Sequence, residues 1–411
     1  MPFPVTYLLD QLAPSETFIR RELDQLRCRD WPVVTQLLKG GDAPLKHALL
    51  SCPKGFRMRF FKAACVRIAE EFFRAPGTAC RILKRLPQAA DLAKKVAENG
   101  SQLVHAHFAG ITADLASIVA RTLGLPWTCS VHAHDVFTVS PHAINRRLRT
   151  AKGVTACSER AAKAVADSGI PASKVALIHH GVPLSDFRFC TCQPSGVIFT
   201  AGRLEAKKGV DTLIRACSLL RDRGVHFTCV IAGSGAMLDE LKHLTESFNL
   251  GKSVVFVGWQ SQDETRSHLK DAAVLALPSR RMPDGDSDGI ANILVEALAL
   301  GTPVVTTTAS SASEVIEDSA NGLLVPPDDP VRLADALATA LGSKELRIRL
   351  AQAGRKTAEA FFDGAQNIQQ LEAFFSKAVT AAPVRRPTPS EQGSKPRTIP
   401  PPSRRAPAQR L

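Results

Sequence analysis

The sequence predicts an α/β protein of two doubly wound domains, each a parallel sheet covered by helices, facing one another across a cleft. Three observations predict it. Short apolar runs that read as buried strands alternate with helical segments from Val5 to about residue 187, which implies a parallel sheet covered on both faces. The same alternation restarts at Val197 and continues to about residue 365. The chain of 411 residues is long enough for two full cores, and its 45% hydrophobic and 22% charged content is that of a soluble globular protein. The expected organisation is a first domain over 1–187, a linker over 188–196 and a second domain over 197–365. A terminal helix over 366–380, with the option of crossing back to the first domain, and a tail over 381–411 complete it.

Val5–Leu9 reads as the first strand, and Ala13-Pro14-Ser15 turns into a helix beginning near Glu16. Ser15 is placed to cap that helix, with direct ligand contact as the second reading. Between Cys52 and Leu86, nine Lys and Arg residues interleave with Phe56, Phe60, Phe61, Phe72 and Phe73 in helical patterning. Two readings stand there: a cationic helix lying on an anionic bilayer surface, or a solvated helix whose aromatics face the core. Leu103–Phe108 is a strand ending in His105 and His107, and a helix follows from near Thr112. Trp127–Val131 is the next strand, with His132, His134 and Asp135 at its end. Strand ends of a parallel sheet open into the crevice where ligands bind, so four histidines at two neighbouring strand ends point to a site. They show no carboxylate–histidine framework of a known metal class, and no metal is expected. Val154–Ser158 and Val175–Ile178 read as further strands, with Ser158 capping the helix between them. His179-His180-Gly181-Val182-Pro183 marks a crossing between domains.

In the second half, strand Val197–Ala201 runs into Gly202-Arg203-Leu204 and on to Lys208-Gly209. Arg203 and Lys208 at a strand–helix junction suit the two charges of a diphosphate, Arg as a fork and Lys as a point charge. Val230–Ala232 ends in Gly233-Ser234-Gly235, where glycine lets the backbone approach a phosphate or base. This is not a dinucleotide fingerprint, because the third glycine and the acid beyond it are missing. Val254–Trp259 is the next strand, and Val274–Leu277 precedes a loop to Asp288. Asp288 and Glu296 lie eight residues apart, with the loop Asp288–Asn292 leading into the helix Ile293–Ala299. A helix N-terminus facing a crevice favours anions, so carboxylates there suit neutral hydroxyls beside a phosphate held by backbone N–H groups. The spacing alone also admits a surface helix with an acidic first turn. Gly301-Thr302-Pro303 stops that helix, Val304–Thr306 is a strand, and helices cover most of 330–378.

The stretch from Asp284 to Thr306 resembles the E-x7-E motif of family 4 glycosyltransferases, retaining enzymes of the GT-B fold, with Asp288 in place of the first Glu. Gly202-Arg203-Leu204 with Lys207-Lys208-Gly209, Glu314-Val315 and Gly322–Val325 are similar to further motifs of that family, and VHAHDVF resembles its loop beside the reacting sugar carbon. Ser15-Glu16-Thr17-Phe18-Ile19 resembles the version found in exopolysaccharide glycosyltransferases of the colanic-acid type, although relatives carry glycines in this first loop and this chain has none before Gly40. The resemblance implies a two-domain Rossmann-like GT-B fold and metal-independent transfer of a sugar from a nucleotide-sugar, a UDP-sugar more commonly than a GDP-sugar. It implies that His132 positions the donor sugar with Asp135 as a partner, and that His107 lies on the acceptor side. Arg203 and Lys208 would neutralise the leaving diphosphate, with N–H groups from Gly233 and Gly235. Asp288 would hold a sugar hydroxyl, Glu296 the ribose, Ile290, Ala291 and Asn292 sugar or phosphate, and Gly258 would line the base pocket. No cofactor beyond the nucleotide-sugar is implied.

The net charge of +13 is carried by segment 53–85 and by the tail 381–411, which between them account for the whole excess. The tail holds eight prolines and seven basic residues and is not expected to build a core. Anionic lipid is the expected partner of this charge, because no nucleic-acid motif accompanies it. A glycan or lipid-linked oligosaccharide is the expected acceptor. No run of about 18 apolar residues exists and the start carries no basic region before an apolar stretch, so a cytoplasmic protein, peripheral to the inner face of the cell membrane, is expected. Ten cysteines without paired spacing fit reduced thiols. Two other classes remain to be discriminated. A nucleotide-sugar epimerase would need no acceptor and a phosphorylase would need inorganic phosphate, whereas a noncatalytic membrane scaffold would tolerate loss of His132 and Lys208.

Overall fold

A computed structural model describes residues 2–11, 16–38, 49, 52–190 and 196–380. Ser15, residues 191–195 of the expected linker and the basic tail 381–411 lie outside them. The first lobe holds strands β1 (Val5–Leu9), β2 (Val33–Leu37), β3 (Leu103–His107), β4 (Trp127–Val131), β5 (Gly153–Ala156) and β6 (Val175–Leu177). They form one parallel sheet in the order β2-β1-β3-β4-β5-β6. The second lobe holds β7 (Val197–Ala201), β8 (Thr228–Ala232), β9 (Val254–Gly258), β10 (Val274–Leu277), β11 (Val304–Thr307) and β12 (Leu323–Val325). These are also parallel, in the order β12-β11-β10-β7-β8-β9. Every residue of β1, β3, β4, β5, β10 and β11 is buried, which is why these strands read as largely apolar runs, with buried Thr, Ser and His among them.

Helices cover both faces of each sheet. In the first lobe they are α1 (Thr17–Cys28), α2 (Lys54–Phe72), α3 (Pro76–Lys84), α4 (Leu86–Glu98), α5 (Ile111–Leu123), α6 (Ala133–Phe137), α7 (Pro141–Leu148) and α8 (Glu159–Asp167). In the second they are α9 (Val210–Asp222), α10 (Leu238–Ser247), α11 (Gln262–Asp271), α12 (Asn292–Leu300), α13 (Pro330–Gly342) and α14 (Lys344–Phe361), and α15 (Gly364–Thr380) follows. The strand β2 was not expected from sequence: VVTQL is a half-buried edge strand without an apolar run. The basic aromatic segment is two helices, broken where Pro76 begins α3. Its aromatics divide between the two readings. Phe56 and Phe60 are buried in the core, whereas Phe61, Phe72 and Phe73 are exposed, Phe73 by 90%.

The chain crosses between lobes twice. Val182 exchanges backbone hydrogen bonds with Phe362 and Gly364 at 2.9 Å each, and Gly181 lies so close to Gly364 that no Cβ fits between them. Helix α15 then packs on the first sheet, where Phe375 meets Tyr7, Trp31 and His105, and Arg29 pairs with Glu372 at 2.6 Å. Both strand orders reverse direction at one place, between β1 and β3 in the first sheet and between β10 and β7 in the second. Crevices form at the carboxyl ends of strands at such switch points. Among the described residues, no helix is long and apolar enough to cross a membrane.

Candidate functional site

At the switch point of the second sheet, the ends of β7 and β10 line a crevice with Gly202, Arg203, Lys208, Ser279, Asp288 and Ala291. The Lys208 ammonium donates to both Asp288 oxygens, at 2.9 and 2.8 Å, and Ser279 Oγ donates to Asp288 Oδ2 at 2.8 Å. Burial alone would raise the Asp288 carboxyl, but the charge and hydrogen bonds of Lys208, with the bond from Ser279, outweigh it and hold the group below the ordinary carboxylate range. Lys208 sits in a 3-10 turn that ends at Gly209, which has φ 65° and whose Cβ would collide with the Pro278 carbonyl. Only glycine lets the turn lie that close to β10. Arg203 stands at the mouth, exposed, with Glu205 at 2.7 Å.

The neighbouring strand ends converge on glycine in the same way. Gly233, at φ 132°, presses against the Gly202 carbonyl, and its N–H donates to Gly258 O at 2.6 Å. A Cβ on Gly235 would run into the Leu204 backbone. Gly233, Gly235 and Gly258 thus end β8 and β9 against the Arg203 loop. Ile290 and Ala291 lead into α12, whose first N–H groups have no partner within the helix. That helix is buried on almost every side, and Gly301, at φ 85°, ends it.

In the first lobe the strand ends carry a row of buried side chains. Tyr7 on β1 donates its hydroxyl to Glu22 Oε1 at 2.8 Å, and His107 Nε2 lies 3.2 Å from the same oxygen. His107 Nδ1 faces His132 Nε2 at 3.3 Å, and His132 Nδ1 faces His180 Nε2 at 3.4 Å. Burial pushes the His132 imidazole well down, and His180 down to about 4. The Asp135 carboxylate bonds to backbone, in a capping box with His132 at the start of α6. Its Oδ2 accepts the backbone N–H of Ala109 at 2.8 Å and of His132 at 3.1 Å, bracing the two strand ends, and burial raises its carboxyl to about 6.

The two lobes touch around this space. Gly289, next to Asp288, has its Cβ position 3.5 Å from the Ala133 side chain, next to His132. Arg21 of α1 reaches across to Glu296 Oε1 at 2.5 Å, and Asn292 donates to Thr17 at 3.4 Å. The carboxylate expected to hold a ribose is therefore engaged by the opposite lobe. Glu314 of the second lobe accepts the backbone N–H groups of Glu159 and Arg160 at the start of α8, at 2.6 and 3.1 Å. The structure thus gathers Arg203, Lys208 and Asp288 at one crevice, with Gly233 and Gly235 packed against the Gly202 and Leu204 backbone that lines it and His107 and His132 in the facing lobe. Tyr7, Arg21, Glu22, His180 and Ser279 were missed as site residues. Ser279, two residues after a buried strand, and His180, in the motif that marks the crossing between domains, carried a sequence signal.

Among the described residues, two groups bring metal-ligating atoms within 4.8 Å of one another: His132, Cys157 and His180, and Glu22, His105 and His107. Both His105 nitrogens are already engaged by hydroxyls, Thr128 Oγ1 at 2.8 Å and Ser130 Oγ at 3.1 Å. Both His132 nitrogens face imidazoles, and burial pushes the Cys157 thiol up to about 12, so it stays a weak ligand. These donor sets fit a hydrogen-bonded network better than a metal.

Residues 46–186 match the family model for Glycosyltransferase Family 4, and residues 193–357 match that for Glycosyl transferases group 1. The chain is 34% identical over 206 residues to WcaL of Salmonella typhimurium, named for colanic acid biosynthesis, covering 49% of this chain and 51% of the relative. It is 35% identical over 173 residues to the amylovoran biosynthesis glycosyltransferase AmsK of Erwinia amylovora, covering 41% and 42%. The matched segment spans about half the length of these relatives or less. Among solved structures, Anabaena HepE in complex with UDP and glucose superposes with a TM-score of 0.68 at 17% identity, covering 91% of this chain and 99% of that one. Sucrose-phosphate synthase from Thermosynechococcus elongatus gives 0.69 at 19% identity, covering 92% and 100%. The fold is GT-B.

Proposed function

The chain belongs to the family 4, group 1 glycosyltransferases, and from that premise we propose that it moves a sugar from a nucleotide-sugar, with a UDP-sugar as donor, to an acceptor hydroxyl with retention of anomeric configuration. The observation that carries this reading is the crevice at the β10/β7 switch point, where Lys208 and Asp288 pair beside Arg203 and the Gly233–Gly235 turn. Lys208 and Arg203 neutralise the departing diphosphate, with N–H groups of the glycine turn beside them, and no metal is needed where protein cations balance the charge. Asp288 exchanges part of its bond with Lys208 for a sugar hydroxyl. Glu296 takes the ribose once Arg21 gives way.

Asp288 and Glu296 both lie on the second lobe and do not flank a glycosidic bond from two sides, so they act as binders and not as an acid/base pair. The leaving phosphate takes the acceptor proton. His132 borders the reacting sugar, and His107 faces the acceptor side. The UDP complex of HepE supports the choice of base, and the names of WcaL and AmsK support an exopolysaccharide or other cell-surface glycan as product. Release of nucleoside diphosphate from a panel of UDP-, GDP- and ADP-sugars, with a glycan or lipid-linked acceptor, tests this. One donor should turn over, and Lys208→Ala should lower kcat/KM by about 100-fold or more. Full activity in that variant refutes the reading. An altered nucleotide-sugar formed without acceptor indicates an epimerase.

Exposed side chains of α2, α3 and the turn between them support a peripheral membrane association. Phe61, Phe72, Phe73 and Leu83 are exposed there beside exposed Lys54, Lys62, Arg74 and Lys84. Such a surface pairs aromatic insertion with attraction to anionic headgroups. Co-sedimentation with vesicles containing anionic lipid should be strong at low salt and lost in Phe72→Ser/Phe73→Ser. Equal pelleting with neutral vesicles would count against it.

A further inference from the structure

The row Tyr7–Glu22–His107–His132–His180 is ordered by a single group. A carboxylate only accepts hydrogen bonds, and a neutral imidazole carries one N–H and one lone pair. With His107 neutral, Glu22 Oε1 accepts the N–H of His107 Nε2, which leaves His107 Nδ1 as an acceptor. That acceptor requires the proton of His132 on Nε2, and the remaining Nδ1 lone pair then receives the N–H of His180 Nε2. The three rings lie nearly parallel, at 16° between His107 and His132 and 17° between His132 and His180. Phe18 packs against His132 and His180 at 5.0 and 4.2 Å, and Phe108 against His132 at 4.4 Å, which holds the planes. Burial would raise the Glu22 carboxyl, but His107 and the other imidazoles bring it down to about 2, while burial keeps His132 and His180 unprotonated near neutral pH.

We propose that Glu22 is a positioning residue for the transfer, fixing through His107 the tautomer and ring plane in which His132 carries its proton on Nε2 and directs its Nδ1 lone pair to His180. This rests on the reading above that His132 borders the reacting sugar. At the His132 Nδ1 edge, an incoming hydroxyl meets an acceptor and replaces the His180 N–H as its donor. With the tautomer reversed, the same hydroxyl would meet an N–H, and the edge would select a carbonyl or phosphate oxygen instead. The far end of the row lies beside Gly181, where the chain crosses between the lobes. The arrangement at the sugar edge is thus tied to the crossing segment.

Long-range proton–nitrogen correlation spectra of the full chain, labelled with 15N-histidine and without donor or acceptor, read the tautomers directly. His107, His132 and His180 are expected as Nε2–H in the wild type. In Glu22→Leu, which keeps the bulk and removes the acceptor, His132 should show both tautomers and kcat should fall about 10-fold or more with the donor KM unchanged. Glu22→Gln, which restores a carbonyl oxygen, should recover the tautomer and part of kcat. An Nδ1–H tautomer for His132 in the wild type overturns the proposal and needs no variant to fold. So does a wild-type tautomer pattern or an unchanged kcat in folded Glu22→Leu. Because the spectra need no substrate, failure of the row is distinguishable from failure to find transfer.

Discussion

Lys208 and Asp288 illustrate how single residues are set in this molecule. Each is partly or wholly withdrawn from water and compensates the other, so removing one leaves a buried charge unpaired. Buried histidines of the first lobe are set in the opposite sense, by burial that outweighs the charge of Glu22. Burial brings His105 down to about 3 and His180 to about 4, from an ordinary 6.5. As pH falls below 6.5 the unfolded chain takes up protons that the native rings refuse. The stability these residues contribute is therefore present above 6.5 and lost as pH falls toward 4. Asp135, raised from 3.8 to about 6, works the other way: its contribution is present below 3.8 and lost as pH rises through 6. The histidines outnumber it. Chemical denaturation should show stability falling between pH 6.5 and 4.5. His180→Gln should flatten that slope by up to about one proton, or about 1.4 kcal/mol per pH unit. An unchanged slope in the variant would refute the assignment. Arg203, Lys208 and the glycines were legible in the sequence because they sit at strand ends, and Asp288 by its eight-residue spacing from Glu296. Glu22 was not: it sits within a helix, and only the β1/β3 reversal brings it to His107.

Among the elements, the fully buried parallel strands were legible as apolar runs, and α12 was bounded by its loop and by Gly301-Thr302-Pro303. The edge strand β2 was not, because Thr35 and Gln36 break the run, and the division of α2 from α3 needed Pro76 to be read as a helix start. Helix α15 shows how a terminal element closes the fold. Phe375 is fully buried where α15 meets β1 and β3, with its ring 5.0 Å from His105 and 6.1 Å from Tyr7. Phe375→Ala should destabilise the protein by about 3–5 kcal/mol, measured by denaturant unfolding. Phe73→Ala, on an exposed ring, should change stability by less than about 0.5 kcal/mol. Similar losses for the two would contradict this placement of α15. The start of α8 is held from the other lobe by Glu314, a carboxylate at a helix N-terminus, where such a charge is favourable.

At the scale of the whole molecule, two sheets of the same handed design face one another with their switch points across one cleft. The restart of the strand–helix pattern at Val197 made two lobes legible. How they meet was not legible, because Arg21 and Glu296 lie 275 residues apart and nothing local to either announces the other. The same holds for Gly289 against Ala133, which brings Asp288 beside the His132 loop. A cleft that closes in this way would exclude water from a bound ligand. The central claim is that this cleft moves a sugar with retention, using Lys208 on the diphosphate. Its most direct test is proton NMR of the product formed from an α-linked UDP-sugar, with wild type beside Lys208→Ala. An α-linked product from the wild type, and little or none from the variant, is the predicted result. A β-linked product, or equal yield from Lys208→Ala, would contradict it.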